Sequence, residues 1–364
     1  MINKYCLSIV IPAYNSEKII NDCLNKIIEE TKKIKSEIIV VDDKSTDKTA
    51  KIVKKIKKIK LIKLNVNRGV GNARNIGADN AKYENLCFID SDIIISKNSI
   101  YNLLKRFNKN KNIGSVSATQ NTNNLNKDSW TSNFVCLKSC YGTESIKIEK
   151  NFSSISSEFC IISKKLFNNV GKWKALYGAG GEEFDLGYKI RKLNKKNIKL
   201  KSAGYSGFWC SLKERSIRII SRTEKYIPIL LKKKNFDSKG TFATVDQAFS
   251  AFLTLLMIST LILNLFLKFN FVILILSVLS IIQLMLEMNF LVFAYKKYKI
   301  KMLTNFKSEM KRTKSIWAKR IENECIANGN IINNTGKDHV IASIPIDPPM
   351  LSLTITLNDS PLKG

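Results

Sequence analysis

Four short polar segments of this sequence could do chemistry, and each follows an apolar run. Pro12-Ala13-Tyr14-Asn15 follows Leu7–Ile11, Asp42-Asp43-Lys44-Ser45-Thr46-Asp47 follows Glu37–Val41, and Asp90-Ser91-Asp92 follows Asn85–Ile89. Taken singly, each is an ordinary helix cap, because Asn, Ser and Asp accept from free backbone N–H groups. Taken together they gather carboxylates on one side of whatever the runs build. Crowded carboxylates repel one another unless a cation or a basic ligand compensates, so Asp90 and Asp92 read as a pair holding a divalent metal against phosphate oxygens. The fourth segment, Asn67-Arg68-Gly69-Val70-Gly71-Asn72-Ala73-Arg74-Asn75, follows Lys60–Leu64. Its glycines let a ligand approach the backbone, and Arg68 and Arg74 can pair with phosphate. A nucleoside diphosphate suits such a rim.

The elements that must position these segments follow from the periodicity. The four apolar runs read as strands, and Glu17–Thr31, Asp47–Lys58, Asn72–Asn80 and Ser99–Asn108 read as amphipathic helices between them. This β-α-β-α succession predicts an α/β fold whose mostly parallel sheet is covered on both faces, with ligands at the carboxyl ends of the strands.

In these motifs the sequence resembles a family 2 glycosyltransferase with the GT-A fold, over roughly residues 7 to 230. The motifs stand in the family's order: Ile9 to Asn15 with Glu17, Val41 to Thr49, Asn67-Arg68-Gly69 through Ala73 to Gly77, Phe88 to Asp92, and Gly180-Gly181-Glu182-Glu183-Phe184-Asp185-Leu186 with Arg191. The resemblance implies a nucleotide-diphosphate sugar held by Pro12, Tyr14, Asn15, Glu17, Asp42, Asp43, Arg68, Gly69, Arg74, Asp90 and Arg191. Tyr14, Asp43 and Arg74 would lie near base and ribose. Asp92 and Asp90 would hold a divalent cation, Mn2+ or Mg2+, at the diphosphate. The catalytic segment would be Glu182, Glu183 and Asp185, with Glu183 standing where the family usually has Asp and taking the proton from an acceptor hydroxyl in one inverting displacement. The same acidic turn also suits the positive end of a helix dipole. Many relatives carry a histidine in the stretch matching Ala203–Ser211; here the sole histidine of the chain is His339, which leaves the third metal ligand open.

Composition sets the surroundings. The chain has 364 residues, 45% of them hydrophobic, and a formal net charge of +30 from 60 basic and 30 acidic side chains. That excess favours an anionic partner, such as a membrane face, a phosphorylated substrate or nucleic acid. No nucleic-acid motif accompanies it, and unmetallated carboxylates on the rim would repel phosphates, so nucleic acid is not expected. The eight cysteines, with Cys136 and Cys140 on one helix face, form no disulfide framework or zinc spacing and read as reduced core residues. Leu7–Ile11 is shorter than the apolar stretch of a signal peptide, so the catalytic domain is expected in the cytoplasm.

Beyond the domain of residues 1–235, two apolar stretches, 248–267 and 271–295, are each long enough to cross a membrane. They predict a multi-pass hairpin within 246–295, anchored in the cytoplasmic membrane. Lys232–Lys234 before it and Lys296, Lys297, Lys299 and Lys301 after it place both flanks in the cytoplasm, with Lys268–Asn270 facing outward. Residues 212–234 resemble a joining helix whose basic face, Arg215, Arg218, Arg222 and Lys225, meets lipid headgroups. Glu287, the one charge within either span, reads as a protonated packing residue with Thr254 or Ser259 as acceptor and Gln283 on its own face, with a role in holding a lipid acceptor as the alternative. The tail, 296–364, carries one alternating run, Met350–Leu357, and no assigned chemistry.

The expected activity is transfer of one sugar from a nucleotide-diphosphate sugar to a hydroxyl of a lipid-linked or cell-surface glycan at the cytoplasmic membrane face. Two alternatives stand beside it. A polyprenyl-phosphate acceptor is already ionised and needs no base, whereas Glu183 argues for a hydroxyl. A binding protein without catalysis is the other, given Glu at the position of the family's Asp. The Gln-x-x-Arg-Trp signature of processive synthases is absent, which favours single transfer.

Overall fold

The computed structural model describes residues 6–125, 130–144, 151–174, 181–207, 217, 245–267, 271–298, 333–334, 339–344 and 351–356. Their strands and helices alternate as the apolar runs predict. β1 (Leu7–Ala13), β2 (Ser36–Asp42), β3 (Ile59–Lys63) and β4 (Asn85–Ile89) enclose α1 (Ile20–Glu30), α2 (Thr49–Lys54) and α3 (Val70–Asp79). Then come β5 (Ile93–Ile95), α4 (Ser99–Lys109), β6 (Ile113–Gln120), α5 (Trp130–Glu144), β7 (Phe159–Ser163), α6 (Lys164–Asn169), α7 (Glu182–Lys192) and β8 (Lys196–Gly207).

These strands make one eight-stranded sheet in the order β3-β2-β1-β4-β7-β6-β8-β5. It is more mixed than the sequence predicts. The pairs among β3, β2, β1 and β4 are parallel, as is β6 with β8, but β7 runs antiparallel to both β4 and β6, and β5 antiparallel to β8. The parallel half is what a β-α-β reading detects; the reversal at β7 depends on a chain return that no local period announces.

Strand alternation splits the core into two layers. Leu7, Ile9 and Ile11 of β1 pack with Ile20, Leu24 and Ile27 of α1 and Leu103 and Leu104 of α4. Their neighbour Val10 faces the opposite way, with Ile39, Val41 and Phe88, onto Ala73 of α3, Phe167 of α6, Trp173, and Leu186 and Ile190 of α7. Both faces of the sheet are thus covered, and near-continuous apolar strands result. Within the second layer Phe88, Phe167 and Trp173 stack in tilted and edge-on pairs with ring centroids 5.2 to 6.2 Å apart, a geometry worth about 0.5–1.5 kcal/mol per pair beyond area burial.

Two apolar helices follow, α8 (Val245–Leu267) and α9 (Val272–Tyr298). The two-span expectation is reduced here. Among the described residues one helix, over Val272–Lys296, is long and apolar enough to cross a membrane, and it lies almost wholly uncovered by the rest of the protein. The apolar segment described within α8 is Phe249–Asn264, so among the described residues one of the two expected spans is matched. Glu287 also differs from expectation. Its partner is neither Thr254 nor Ser259 but Lys138 of α5, which forms an ion pair with it, while Gln283 donates to Ser250 Oγ at 2.6 Å. Periodicity within the apolar stretch could not reveal a partner almost 150 residues away. The joining helix expected at 212–234 lies outside the described residues apart from Ile217, and so does the turn 268–270.

Residues 295–364 form a separate unit. It contains a three-stranded antiparallel sheet of β9 (Asn333–Asn334), β10 (His339–Ile344) and β11 (Leu351–Thr356), so the alternating run in the tail does become a strand.

One close approach seats the helix that carries Glu183. A Cβ built on Gly187 would come 2.5 Å from the Ser153 carbonyl oxygen and 2.8 Å from Ser154 Cα. Asn197 Nδ2 donates to the Gly187 carbonyl beside this contact, at 2.9 Å. Gly187→Ala should therefore push α7 off its seat and cost about 1–3 kcal/mol, as overpacking does. A denaturant midpoint equal to wild type would contradict that contact.

Candidate active site

Parallel pairing puts the carboxyl ends of β1 to β4 on one rim. Ala13 pairs with Asp42, and Asp42 with Lys63, so the loops after β1, β2 and β3 emerge side by side. Since β7 is antiparallel to β4, with Phe159 opposite Ile89, the residues just before β7 sit on this same rim. Their backbone joins it directly: Asp90 N donates to the Glu158 carbonyl at 2.9 Å.

The first two loops are laced together. Asn15, at φ 49°, donates its N–H to Ser45 Oγ at 3.0 Å and accepts from Thr46 N at 2.8 Å through Oδ1. Glu17 N donates to Asp47 Oδ2 at 3.0 Å, and Glu17 Oε2 accepts from Lys48 N at 2.9 Å. Asp47 binds its proton weakly: burial favours the protonated form, but the Thr49 hydroxyl and the Glu17 and Thr49 N–H groups outweigh it. Asn15 and Glu17 thus spend their polar atoms in holding the rim together. Tyr14, just before Asn15, is half exposed to solvent.

Asp42 and Asp43 are buried. Asp42 Oδ1 accepts from Ser45 N at 3.2 Å. Asp43 takes two backbone donors from the glycine-rich loop, Arg68 N at 2.9 Å and Gly69 N at 2.8 Å. Gly69 opens α3 at φ 86°, a left-handed conformation costly to any side chain. Asp43 therefore shapes the loop that presents the Arg68 side chain.

Arg74 is the centre of the site. It is 2% exposed on α3, and its Nη2 donates to Asp90 Oδ1 at 2.6 Å. Its guanidinium lies 5.4 Å from the centre of the Trp173 ring, whose backbone Asn75 clamps from both sides, at 2.8 and 3.0 Å. Burial alone would weaken the hold of Arg74 on its proton, but the charges of Asp90, then Glu182 and Glu183, reverse that and raise its pKa. Nε and Nη1 of Arg74 find no acceptor among the described residues. Cys160, buried on β7, senses the same charges: burial pushes its thiol up to about 12, with Arg74 opposing and Asp90 and Glu183 adding to the rise. Strand-end and helix-borne acids thus surround one buried arginine.

Glu182 and Glu183 open α7 after Gly181, which sits at φ 81°. Glu182 is buried, and Glu183 is half-buried. Ser157 Oγ donates to Glu183 Oε1 at 2.8 Å. Burial, then the neighbouring Glu182 carboxylate, push Glu183 up to about 7, against the pull of Arg74 and Ser157. A carboxylate so tuned can accept a proton near neutrality. Asp185 instead pairs with Lys189 at 2.7 Å along α7. Arg191 lies eight residues along the helix from Glu183, about 12 Å by the helical rise.

Asp92 is exposed beyond β4, and Ser91 between the two acids bonds Ser16 Oγ at 2.8 Å. No three His, Cys, Asp or Glu side chains gather around a metal position among the described residues. The donor set nevertheless fits a hard cation: Mg2+-type ions are usually held by one or two carboxylates with substrate phosphates and water completing the shell. The six described cysteines, Cys6, Cys23, Cys87, Cys136, Cys140 and Cys160, are all buried thiols.

Sequence reading missed Ser157, Trp173 and Glu158. A serine before a strand and a tryptophan after a short helix carry no local signal; only the fold brings them to Glu183, Arg74 and Asp90.

Residues 8–171 match the family described as Glycosyl transferase family 2. Among curated proteins, a poly-beta-1,6-N-acetyl-D-glucosamine synthase of Staphylococcus epidermidis is 30% identical over 179 residues, 46% of this chain and 42% of that protein. Its Staphylococcus aureus counterpart is 29% identical over 175 residues, with the same coverage. The chain thus spans less than half the length of these relatives. Among solved structures, a mannosyltransferase of Pyrobaculum calidifontis, in complex with GDP-Man and Mn2+, superposes with a TM-score of 0.50 at 18% identity, covering 62% of this chain and 64% of that one. That likeness agrees with the GT-A-like fold. The family match ends before Glu182, so the acidic turn of α7 rests on motif and geometry alone.

Arg74→Met should raise the Glu183 pKa further, because it removes a positive charge that favours the ionised carboxylate. A carboxyl titration followed by NMR or infrared difference spectroscopy, compared with a Glu183→Gln control, measures the shift. A Glu183 titration point unchanged or lowered in the variant would refute the assignment.

Proposed function

We propose that the family 2 glycosyltransferase domain carried by this chain at residues 8–171, together with α7, transfers one sugar from a nucleotide-diphosphate sugar to a hydroxyl of a membrane-linked or cell-surface glycan, with inversion. The observation that carries the reading is the single buried Arg74, which bonds Asp90 at 2.6 Å and feels Glu182 and Glu183 at once. It supports a reading in which a proton acceptor stands beside a nucleotide rim.

In this reading Asp43 and the Gly69 turn shape the nucleotide pocket, and Tyr14 offers its exposed face to the base. Arg68, and the two spare donors of Arg74, supply positive charge and hydrogen bonds to ribose and phosphate oxygens. Asp92 with Asp90 would hold a divalent cation, Mn2+ or Mg2+, which supplies positive charge against the departing diphosphate. Glu183 takes the acceptor proton as the hydroxyl oxygen bonds the anomeric carbon. The sugar–phosphate bond breaks, its electron pair leaving with the diphosphate. Ser157 keeps the Glu183 carboxylate oriented until then.

The acceptor side follows from the surroundings. A net charge of +30 and the uncovered apolar helix α9 suit an enzyme held at the cytoplasmic face of a membrane. The absence of Gln-x-x-Arg-Trp supports single transfer, although the curated relatives are named as makers of a polymer. A hydroxyl acceptor is favoured over a lipid phosphate because only the hydroxyl needs the base that Glu183 provides.

The test uses membranes carrying the full chain and a panel of labelled nucleotide sugars, UDP-GlcNAc and GDP-mannose among them, with Mn2+ or Mg2+ and with chelator. Asp92→Ala should lower transfer at least a hundredfold with the fold intact, and full turnover in chelator-treated membranes would sink the cation reading. Glu183→Gln should lower it comparably while nucleotide binding persists.

Wild-type kcat/KM should also rise with pH and reach half its plateau near 7, since the base must be deprotonated and burial raises its pKa. A profile flat from pH 5 to 9 would remove Glu183 from the mechanism.

A further inference from the structure

Glu287 and Lys138 have no part in the chemistry above, yet they form the one ion pair between the catalytic domain and an apolar helix among the described residues. On α9, Leu279, Phe290 and Ala294 are buried, and Gln283 and Glu287 are partly covered between them. This is a single stripe at spacings of four, four, three and four, on a helix whose other faces are open. Against it α5 sets Phe134, Lys138 and Tyr141, again on one face. Phe134 meets the Phe290 ring edge-on at 5.6 Å, and Tyr141 meets Phe290 at 5.6 Å and Phe293 at 5.4 Å. Lys138 Nζ lies 4.4 Å from the centre of the Phe290 ring while it pairs with Glu287.

The opposite face of α5 is fixed to the catalytic sheet. Cys136 accepts from Gln120 Nε2 at 3.4 Å, and Cys140 donates to the Asn121 carbonyl at 3.0 Å, both at the end of β6. β6 in turn pairs with β7, the strand entered from Ser157 and Glu158. One short helix therefore bridges the membrane-type helix and the strands that carry the rim.

A charge pair beside so much apolar surface has a cost that aromatic packing alone would not incur. Its return is geometric. Apolar side chains on α9 would let α5 slide by a turn with little loss, whereas a lysine set over Phe290 and paired to Glu287 defines one register. This is the role best attested for partly buried polar contacts, the fixing of register.

We propose that Lys138 and Glu287 are positioning residues that lock α5 to α9 and so set the height and orientation of the catalytic rim relative to the membrane that holds its acceptor. The proposal rests on the transferase reading and deepens it. It predicts a defect confined to membrane-bound acceptors.

Four forms of the full chain test it in native membranes: wild type, Lys138→Met, Glu287→Gln and the charge swap Lys138→Glu with Glu287→Lys. Transfer of label from the active nucleotide sugar into membrane glycan should fall about tenfold in each single variant and recover substantially in the swap. Slow hydrolysis of the same nucleotide sugar by water, and binding of its nucleoside diphosphate with Mn2+, should stay at wild-type values. Wild-type transfer in both single variants overturns the lock, and an equal fall in hydrolysis and transfer reduces the pair to a general structural role, which also overturns it. A readout independent of activity completes the test. Phe134→Cys with Phe290→Cys should form an intrachain disulfide under mild oxidation in wild-type membranes, and markedly less in the Glu287→Gln background. Undiminished cross-linking there overturns the proposal. Wild-type membranes that transfer no label from any sugar of the panel, while this cross-link behaves as expected, would instead count against the transferase reading alone.

Discussion

A guanidinium with 2% exposure must be compensated where it lies, and the site is organised by how this is done at Arg74. An unpaired buried charge costs several kcal/mol, so the ion pair with Asp90 is a condition of folding this layer as well as a feature of the rim. It ties α3 to the end of β4, and the Trp173 ring below it ties in the segment after α6. Because Arg74 also draws the field of Glu182 and Glu183, the helix α7 approaches with its acidic end inward. Charge balance around one arginine thus brings α7 to α3 and β4, about a hundred residues earlier in the chain.

The same balance leaves Glu183 in tension. Burial and Glu182 favour its protonated form, while Arg74 and Ser157 favour the anion, and the outcome is a proton affinity near neutrality. With one carboxylate fewer, or with more solvent, it would be an ordinary ionised glutamate and a weak base. The linkage has a sign. Between the usual glutamate range and about 7 the folded chain holds a proton that the unfolded chain has released, so this group contributes less stability as pH rises through that window. Function at neutral pH and stability therefore pull in opposite directions at this residue, as is common where a site is tuned for proton transfer.

Other polar residues of the rim have the opposite character. Asn15, Glu17, Asp43 and Asp47 accept from backbone donors of neighbouring loops, and Asp42 from one in its own loop. They build the frame, and Tyr14, Arg68 and Asp92 are exposed on the same rim. A motif in sequence mixes these two kinds of residue without distinction, because a loop clamp and a ligand contact call for the same side chains.

The sequence by itself determined the strand and helix alternation of the first half, the rim at the carboxyl ends of β1 to β4, the acidic pairs on it, the reduced cysteines and the apolar stretch of α9. All of these are local properties: periods of two and 3.6, turn residues, and the types of side chain within a few positions. Only the tertiary structure decided the antiparallel return at β7, which brings Ser157 and Glu158 to Asp90 and Glu183. It alone decided that Glu287 pairs with Lys138 rather than with a neighbour in its own stretch. Each of these depends on contacts between residues dozens to more than a hundred positions apart. The partner of a buried charge is chosen by the packing of whole elements, and the pattern along the chain holds no record of it.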